Sequence, residues 1–126
     1  MFRIDDAFSG FAVDDIDVAR SFYRDTLGMV VEDDEMGFLT LRLPSGAAIF
    51  VYAKDDHVPA TFTILNFPVT DIDAAVDDLR ARGVDTRIYG DQFGGDDRGI
   101  VRGGEAGPDI AWFRDPAGNV LAILQT

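Results

Sequence analysis

The chain has 126 residues, of which 47% are hydrophobic and 11% aromatic, a composition that predicts one folded domain and excludes a disordered chain. Its 11 basic and 23 acidic side chains give a net charge of −12, which excludes nucleic acid as an expected partner because phosphate backbones are repelled. The sequence has no cysteine and no apolar run near the ~20 residues of a membrane span, so we expect a cytoplasmic protein without a membrane partner.

The first half of the chain predicts a strand, a helix and three more strands. A strand over residues 7–13 leads to Asp15, whose side chain is suited to cap the first N–H groups of a helix. Apolar residues follow at helical spacing as far as Gly28, a residue type that favours the left-handed end of a helix. The three strands are expected at residues 29–32, 38–43 and 47–53.

The second half predicts the same order of elements. A strand over 62–69 leads to Asp71, a helix ends near Gly83, and strands follow at 86–89, 110–114 and 120–124. We therefore interpret residues 1–126 as a single α+β domain of two tandem βαβββ modules that form a cup-shaped sheet. Module one covers 7–53, a linker covers 54–61, and module two covers 62–126.

An internal repeat supports this division. The segment FAVDDIDVA from Phe11 matches FPVTDIDAA from Phe67 at six of nine positions, with an offset of 56 residues. Further along, PSGAAIFV from Pro44 aligns with PAGNVLAI from Pro116 at an offset of 72. The 16 extra residues of the second copy fall in a glycine-rich segment at about 90–108. We predict that this segment is a mobile flap of the kind that can serve as a lid, and the sequence leaves its position open.

Period-two alternation separates the two faces of each predicted sheet. Leu39, Leu41 and Leu43 form one apolar face, which the helix is expected to cover. Across both modules, the opposite face collects Phe8, Gly10, Phe38, Thr40, Arg42, Phe50, Tyr52, Phe62, Ile64, Asn66, Ile110, Trp112, Arg114, Ala122 and Leu124. Two such faces predict an aromatic cup of the kind that binds small molecules. Plain packing of sheet on sheet is the alternative.

The chain resembles the vicinal oxygen chelate superfamily, which includes glyoxalases, bleomycin resistance proteins and dioxygenases. The resemblance rests on VDDI from Val13, on FY and LG at Phe22 and Leu27, and on their second-half counterparts VTDI and GV. It extends to the closing segment WFRDPAGN from Trp112 and covers nearly the whole chain. The stretch from Pro59 to Val69 and the ending from Ala111 to Gln125 further resemble a large group of small, functionally undefined bacterial members.

The resemblance implies where a metal would bind. The family's metal enzymes place ligands in the first and last strands of each module, which correspond here to Phe8, Phe50, Ile64 and Ala122. None of these side chains offers an oxygen, nitrogen or sulfur atom to an ion. We therefore expect no metal and no cofactor, and the lone His57 in the linker does not supply a site.

We expect the ligand to contact the open face of the cup. The predicted contact residues are Phe8, Phe38, Arg42, Phe50, Tyr52, Phe62, Ile64, Asn66, Trp112, Arg114 and Ala122. Trp112 is either a stacking platform or part of the core. Arg42 and Arg114 either bind a ligand carboxylate or amide carbonyl, or pair with neighbouring Asp residues at the rim.

Two functions follow from these expectations. The first is a metal-independent small-molecule-binding homodimer that sequesters a drug or metabolite, as bleomycin resistance proteins do, with a cationic or aromatic ligand. The alternative is a glyoxalase-like enzyme with lyase- or isomerase-type proton chemistry, for which Tyr52 and Glu105 are weak catalytic candidates. A third, an interaction domain with a filled cup, stays open.

Overall fold

The computed structural model describes residues 2–126, and the chain divides into two compact units, Met1–Pro59 and Ala60–Thr126. The division falls inside the predicted linker. Within residues 2–126, no helix has the length and apolar character needed to cross a membrane.

The first unit has the predicted order of elements. β1 (Ser9–Val13) is followed by α1 (Ile16–Ser21), a π-helical turn (Phe22–Thr26) and three strands, β2 (Val30–Asp33), β3 (Leu39–Arg42) and β4 (Ala48–Ala53). The strands lie in the order β1-β4-β3-β2, with β1 parallel to β4 and the other pairs antiparallel. The predicted βαβββ order is confirmed for this half, with strand ends shifted by one or two residues.

The second unit has a smaller sheet of three strands. β5 (Thr63–Val69) is followed by α2 (Ile72–Ala81), α3 (Gly90–Phe93), a 3₁₀ turn (Gly104–Ala106), β6 (Ile110–Arg114) and β7 (Val120–Gln125). The strand order is β5-β7-β6, with β5 parallel to β7 and β6 antiparallel to it. The first and last strands therefore pair in parallel in both units.

Strand register confirms the internal repeat. Gly10 on β1 lies opposite Phe50 on β4, and Asn66 on β5 lies opposite Ala122 on β7. Gly10 and Asn66 are related by the first repeat offset, and Phe50 and Ala122 by the second. The two halves thus repeat the same pairing of residues as well as the same sequence.

The predicted helix starts and ends are also confirmed. The Asp15 carboxylate accepts hydrogen bonds from the N–H groups of Asp17 and Val18 at 3.0 and 3.2 Å. The Asp71 carboxylate accepts one from the N–H of Ala74 at 3.1 Å. Side-chain acceptors at these positions satisfy N–H groups that have no partner within the helix.

One face of each sheet is buried under its helix. In the first unit α1 packs on β4, and Leu39, Leu41 and Val51 are completely buried. In the second unit α2 packs on β7 through the buried residues Ile72 and Val76. Residues that alternate with the buried leucines of β3 are half-buried or exposed, so the predicted two-sided character of this strand is confirmed.

The strand predicted at 86–89 is wrong. Arg87 forms a single isolated bridge with Trp112, and the Tyr89 carbonyl accepts hydrogen bonds from the N–H groups of Gln92 and Phe93. The buried Thr86 hydroxyl donates to the Arg98 carbonyl at 2.6 Å. The glycine-rich segment therefore folds back onto residues 86–87, where a strand was expected, and Val101 in the same segment bridges Ile110 of β6.

Gly99 is the point of closest approach in this fold-back. Its φ is +88°, and a Cβ atom there would collide with the Thr86 carbonyl oxygen. Gly83 has nearly the same φ, +87°, but open space around the position of a Cβ. Comparing substitutions at Gly83 and Gly99 therefore separates the effect of backbone strain from that of steric collision.

We expect Gly83→Ala to lower the free energy of unfolding by about 1–2 kcal/mol, because only the left-handed backbone is strained. Gly99→Ala should cost about 1–3 kcal/mol more, since the added methyl group also overpacks the fold-back. Urea unfolding of the two variants measures both values. Equal losses would contradict the close approach of Gly99 to Thr86.

Candidate functional site

Phe50 is the centre of an aromatic cluster on the open face of the first unit. Its ring centroid lies 4.9 Å from that of Phe38, 5.7 Å from that of Tyr52 and 6.1 Å from that of Phe8. Phe50 and Tyr52 are two residues apart on β4, so their side chains lie on the same face and stack, with 25° between the ring planes. Four of the predicted contact residues are thus brought together.

A depression of about 390 Å³ lies beside this cluster, lined by Asp6, Ala7, Phe8, Thr40, Arg42, Gly46, Ala47, Ala48 and Phe50. The Arg42 Nε donates to Glu32 Oε1 on the neighbouring strand at 2.9 Å. The sequence predicts either ligand binding or an ion pair at the rim for Arg42. The structure shows an ion pair, with Glu32 as the partner. Both side chains are about half exposed, so the pair contributes little stability and leaves Arg42 accessible.

A second aromatic cluster forms around Trp112 in the second unit. The Trp112 ring lies 5.5 Å from both Tyr89 and Phe93, and those two rings lie 6.1 Å apart. A depression of about 310 Å³ is lined by Thr61, Phe62, Thr63, Tyr89, Gln92, Phe93, Trp112 and Val120. We call this the Trp112 pocket.

Tyr89 and Phe93 were missed by the sequence analysis. Tyr89 was assigned to a strand that does not form, and Phe93 to a flap of unknown position. The signal that points to them is weak: two aromatic residues, four positions apart, stand at the start of an otherwise polar, glycine-rich segment. That spacing places two side chains on one side of a helical turn, and α3 forms at this point.

The other predicted contact residues of the second unit have varied environments. Ala122 is completely buried, Asn66 is exposed on β5, and the Arg114 Cζ lies 6.0 Å from the centre of the Tyr89 ring. The pairing of β5 with β7 is irregular between Thr63 and Leu65, so Ile64 is an extra residue, and Thr63 lines the Trp112 pocket in its place. The bulge has no signature in the local sequence.

The two weak catalytic candidates have different surroundings. Tyr52 is half-buried against Phe50, and Glu105 is exposed on the 3₁₀ turn. A catalytic role for either residue stays a prediction.

The positions expected to hold metal ligands do not fit a divalent ion. In the first unit they are Phe8 and Phe50, whose rings touch, and in the second they are Ile64 and Ala122. These side chains contain only carbon and hydrogen, whereas divalent ions need oxygen, nitrogen or sulfur. Among residues 2–126, no three or more His, Cys, Asp or Glu side chains are grouped so as to hold a metal.

An ion-pair network attaches part of the glycine-rich segment to α2. The Arg98 guanidinium pairs with Asp73 and with Asp77, the latter at 2.8 Å. Arg102 pairs with Asp73 at 2.8 Å and with Asp109 at 3.3 Å. Hydrogen bonds from Arg102 and then Arg98 lower the pKa of Asp73 to about 2.

The network lies beside a buried anchor of the same segment. Ile100, between the two arginines, is completely buried, and its N–H donates to the Asp96 carboxylate at 3.0 Å. The part of the segment around 96–102 is therefore fixed to the second unit. A mobile lid over the pocket stays a prediction for the rest of the segment.

Comparison with known proteins places this fold. The family model of the Glyoxalase/Bleomycin resistance protein/Dioxygenase superfamily matches residues 4–123. The chain belongs to this superfamily. No curated protein sequence matches the chain.

Solved structures of the superfamily have the same fold. A putative glyoxalase family protein from Bacillus anthracis is 18% identical, with a TM-score of 0.68 and coverage of 100% of this chain and 99% of the other. A glyoxalase family protein from Enterococcus faecalis is 19% identical, with a TM-score of 0.68 and coverage of 98% and 99%. A superfamily member from Sphaerobacter thermophilus is 22% identical, with a TM-score of 0.63 and coverage of 95% and 97%.

The ion pairs of Asp73 predict a specific pH dependence. Because the folded state lowers the pKa of Asp73 from its ordinary value of 3.8 to about 2, the stabilisation is complete above that ordinary value. It is lost as the pH falls toward 2. We therefore expect Asp73→Asn to lower the unfolding temperature at pH 5, and the difference from the unmodified protein should shrink between pH 4 and 2.

Asp78→Asn is the matched control, because Asp78 is also on α2 and pairs with Arg82, the residue that follows the helix. Its effect on the unfolding temperature should be smaller. If the two variants changed the pH profile equally, the Asp73 network would have no special role in holding the segment.

Proposed function

We propose that this protein binds a small organic molecule without a metal ion, as a sequestering member of the superfamily that holds a drug or metabolite in the manner of a bleomycin resistance protein. The observation that carries the proposal is the replacement of metal ligands by aromatic carbon at Phe8 and Phe50, inside a cluster that lines a depression. An apolar, aromatic surface favours contact with the flat or apolar parts of organic molecules.

The exposed rings support a binding role. Phe8 and Phe62 precede equivalent strands, β1 and β5, and each has 69% of its surface exposed. Large apolar side chains grouped on the surface of a folded unit are typical of binding sites, because water contact with them is unfavourable. Each depression thus has an exposed aromatic residue at its edge.

The proposal includes the homodimer and the cytoplasmic location expected from the sequence. Sedimentation equilibrium measures the mass directly, and twice the chain mass of 13.8 kDa is the expected value. A monomer would remove the homodimer from the proposal without affecting ligand binding within one chain.

A thermal-shift screen of chelator-treated protein tests the proposal. We expect planar or cationic organic compounds to raise the unfolding temperature, and divalent metals to leave it nearly unchanged. A ligand at ~100 times its dissociation constant adds about 2.7 kcal/mol, which corresponds to several degrees for a domain of this size. A saturable shift that requires a divalent ion would contradict the proposal.

Variants locate the binding surface. Phe50→Ala and Trp112→Ala remove the central rings of the two clusters, and a ligand bound at either cluster should lose most of its shift in one of them. Phe2→Ala is the control, because Phe2 is an exposed aromatic residue that lines neither depression. Turnover of the bound compound that is abolished by Tyr52→Phe or Glu105→Gln would instead favour the alternative enzyme.

A further inference from the structure

We propose that the Trp112 pocket binds an organic ammonium group, such as a trimethylammonium head, through the faces of its aromatic rings. This inference rests on the proposed function and specifies the ligand class for one of its two aromatic surfaces.

Four aromatic residues line the pocket: Phe62, Tyr89, Phe93 and Trp112. Tyr89 meets Trp112 edge to face, at an interplanar angle of 72°, and it meets Phe93 at 83°. Phe93 and Trp112 are tilted at 44°, so the three rings of the cluster have different orientations. A cation over the face of an aromatic ring is attracted by the ring quadrupole, most strongly over tryptophan.

The polar lining favours this ligand over a metal ion or a simple anion. Of residues 2–126, those lining the Trp112 pocket include no charged side chain, and the polar ones are Thr61, Thr63 and Gln92. A small, strongly hydrated cation would lose its water here without gaining a carboxylate. A methylated ammonium group is bulky and weakly hydrated, so aromatic rings can replace its water.

The net charge of the protein also favours a cationic ligand. The net charge of −12 raises the concentration of cations near the surface, and it disfavours anionic ligands. The depression of the first unit differs, because charged residues of both signs, Asp6 and Arg42, line it. The Trp112 pocket therefore combines a neutral aromatic lining with an acidic protein surface.

Arg114 shows that a ring of this cluster already accepts a cation. Its guanidinium carbon lies 6.0 Å from the centre of the Tyr89 ring, within the range of a cation–π contact. Arg114 is exposed, so solvent screens much of its charge. Removing that charge should nevertheless favour a second cation on the same cluster, whereas a ligand held by Arg114 through a carboxylate would bind less tightly.

The single tryptophan of the sequence makes the test direct, because its fluorescence reports on this pocket alone. Choline is titrated against 3,3-dimethylbutan-1-ol, which has the same shape but no charge. We expect a saturable change in Trp112 fluorescence with choline, at about fivefold lower concentration or less than with the neutral alcohol. Equal midpoints would overturn the inference while leaving the proposed function in place.

Variants complete the test. Phe93→Leu changes a residue that is 56% exposed, so it should fold normally and raise the choline midpoint about fivefold. Phe2→Leu, at an exposed residue that lines neither depression, should leave the midpoint unchanged. Arg114→Gln should lower it, and a higher midpoint in this variant would overturn the inference.

The experiments distinguish a failure of this inference from a failure of the proposed function. If choline left Trp112 fluorescence unchanged while other organic compounds still stabilised the protein, only the inference would be wrong. If no organic compound stabilised the protein, the proposed function would be wrong as well.

Discussion

Parallel pairing of the first and last strands is the constraint on which both units depend. β1 lies beside β4, and β5 lies beside β7, in the same direction. A tight turn cannot join parallel strands, so the chain between them makes a longer crossover, which in each unit includes a helix. α1 packs on one face of the first sheet and α2 on one face of the second, and the opposite faces carry the two aromatic clusters.

The two faces of each sheet therefore differ in how far their side chains are exposed to water. On the covered face, leucine, valine and isoleucine side chains are buried and supply the hydrophobic stabilisation of each unit. On the open face, contacts between rings such as Phe38 and Phe50 contribute about 0.5–1.5 kcal/mol beyond their buried area. An aromatic open face thus stabilises itself while it remains partly accessible to a ligand.

The carbon side chains at Phe8, Phe50, Ile64 and Ala122 follow from the same logic. A side chain with a metal-ligating oxygen or nitrogen atom would lose its contact with water on an apolar face. It would need either a metal ion or a hydrogen-bond partner to compensate for that loss. With rings and alkyl groups at these positions, such compensation is unnecessary. The chemistry that we propose for these faces is recognition of shape, of apolar surface and, at the Trp112 pocket, of positive charge.

Local features of the fold could be predicted from the sequence, and features made by distant contacts could not. The caps at Asp15 and Asp71 depend on hydrogen bonds within three residues, so residue type and spacing are sufficient. Phe50 was correctly placed with Phe38 because alternation and the repeat fix the face. By contrast, Thr86 and Ile88 favour a strand by their β-branched side chains, but the fold-back of a distant segment occupies that edge.

The Trp112 pocket shows the same limit. Trp112 and Phe62 follow from strand alternation, whereas Tyr89 and Phe93 join them only because the chain leaves the expected strand and enters α3. That departure is tied to tertiary contacts: Gly99 lies against Thr86, and Arg98 pairs with Asp73. Neither contact has a signature within a short window of sequence.

The central claim is that the open faces bind organic molecules without a metal ion. Equilibrium dialysis of the full chain against zinc, nickel, manganese and iron(II) at low micromolar concentration, with bound metal determined by elemental analysis, tests it most directly. We expect less than one tightly bound ion per chain, both in the free protein and in the presence of an organic ligand found by thermal shift. One ion per chain, bound tightly and required for that ligand to bind, would contradict it.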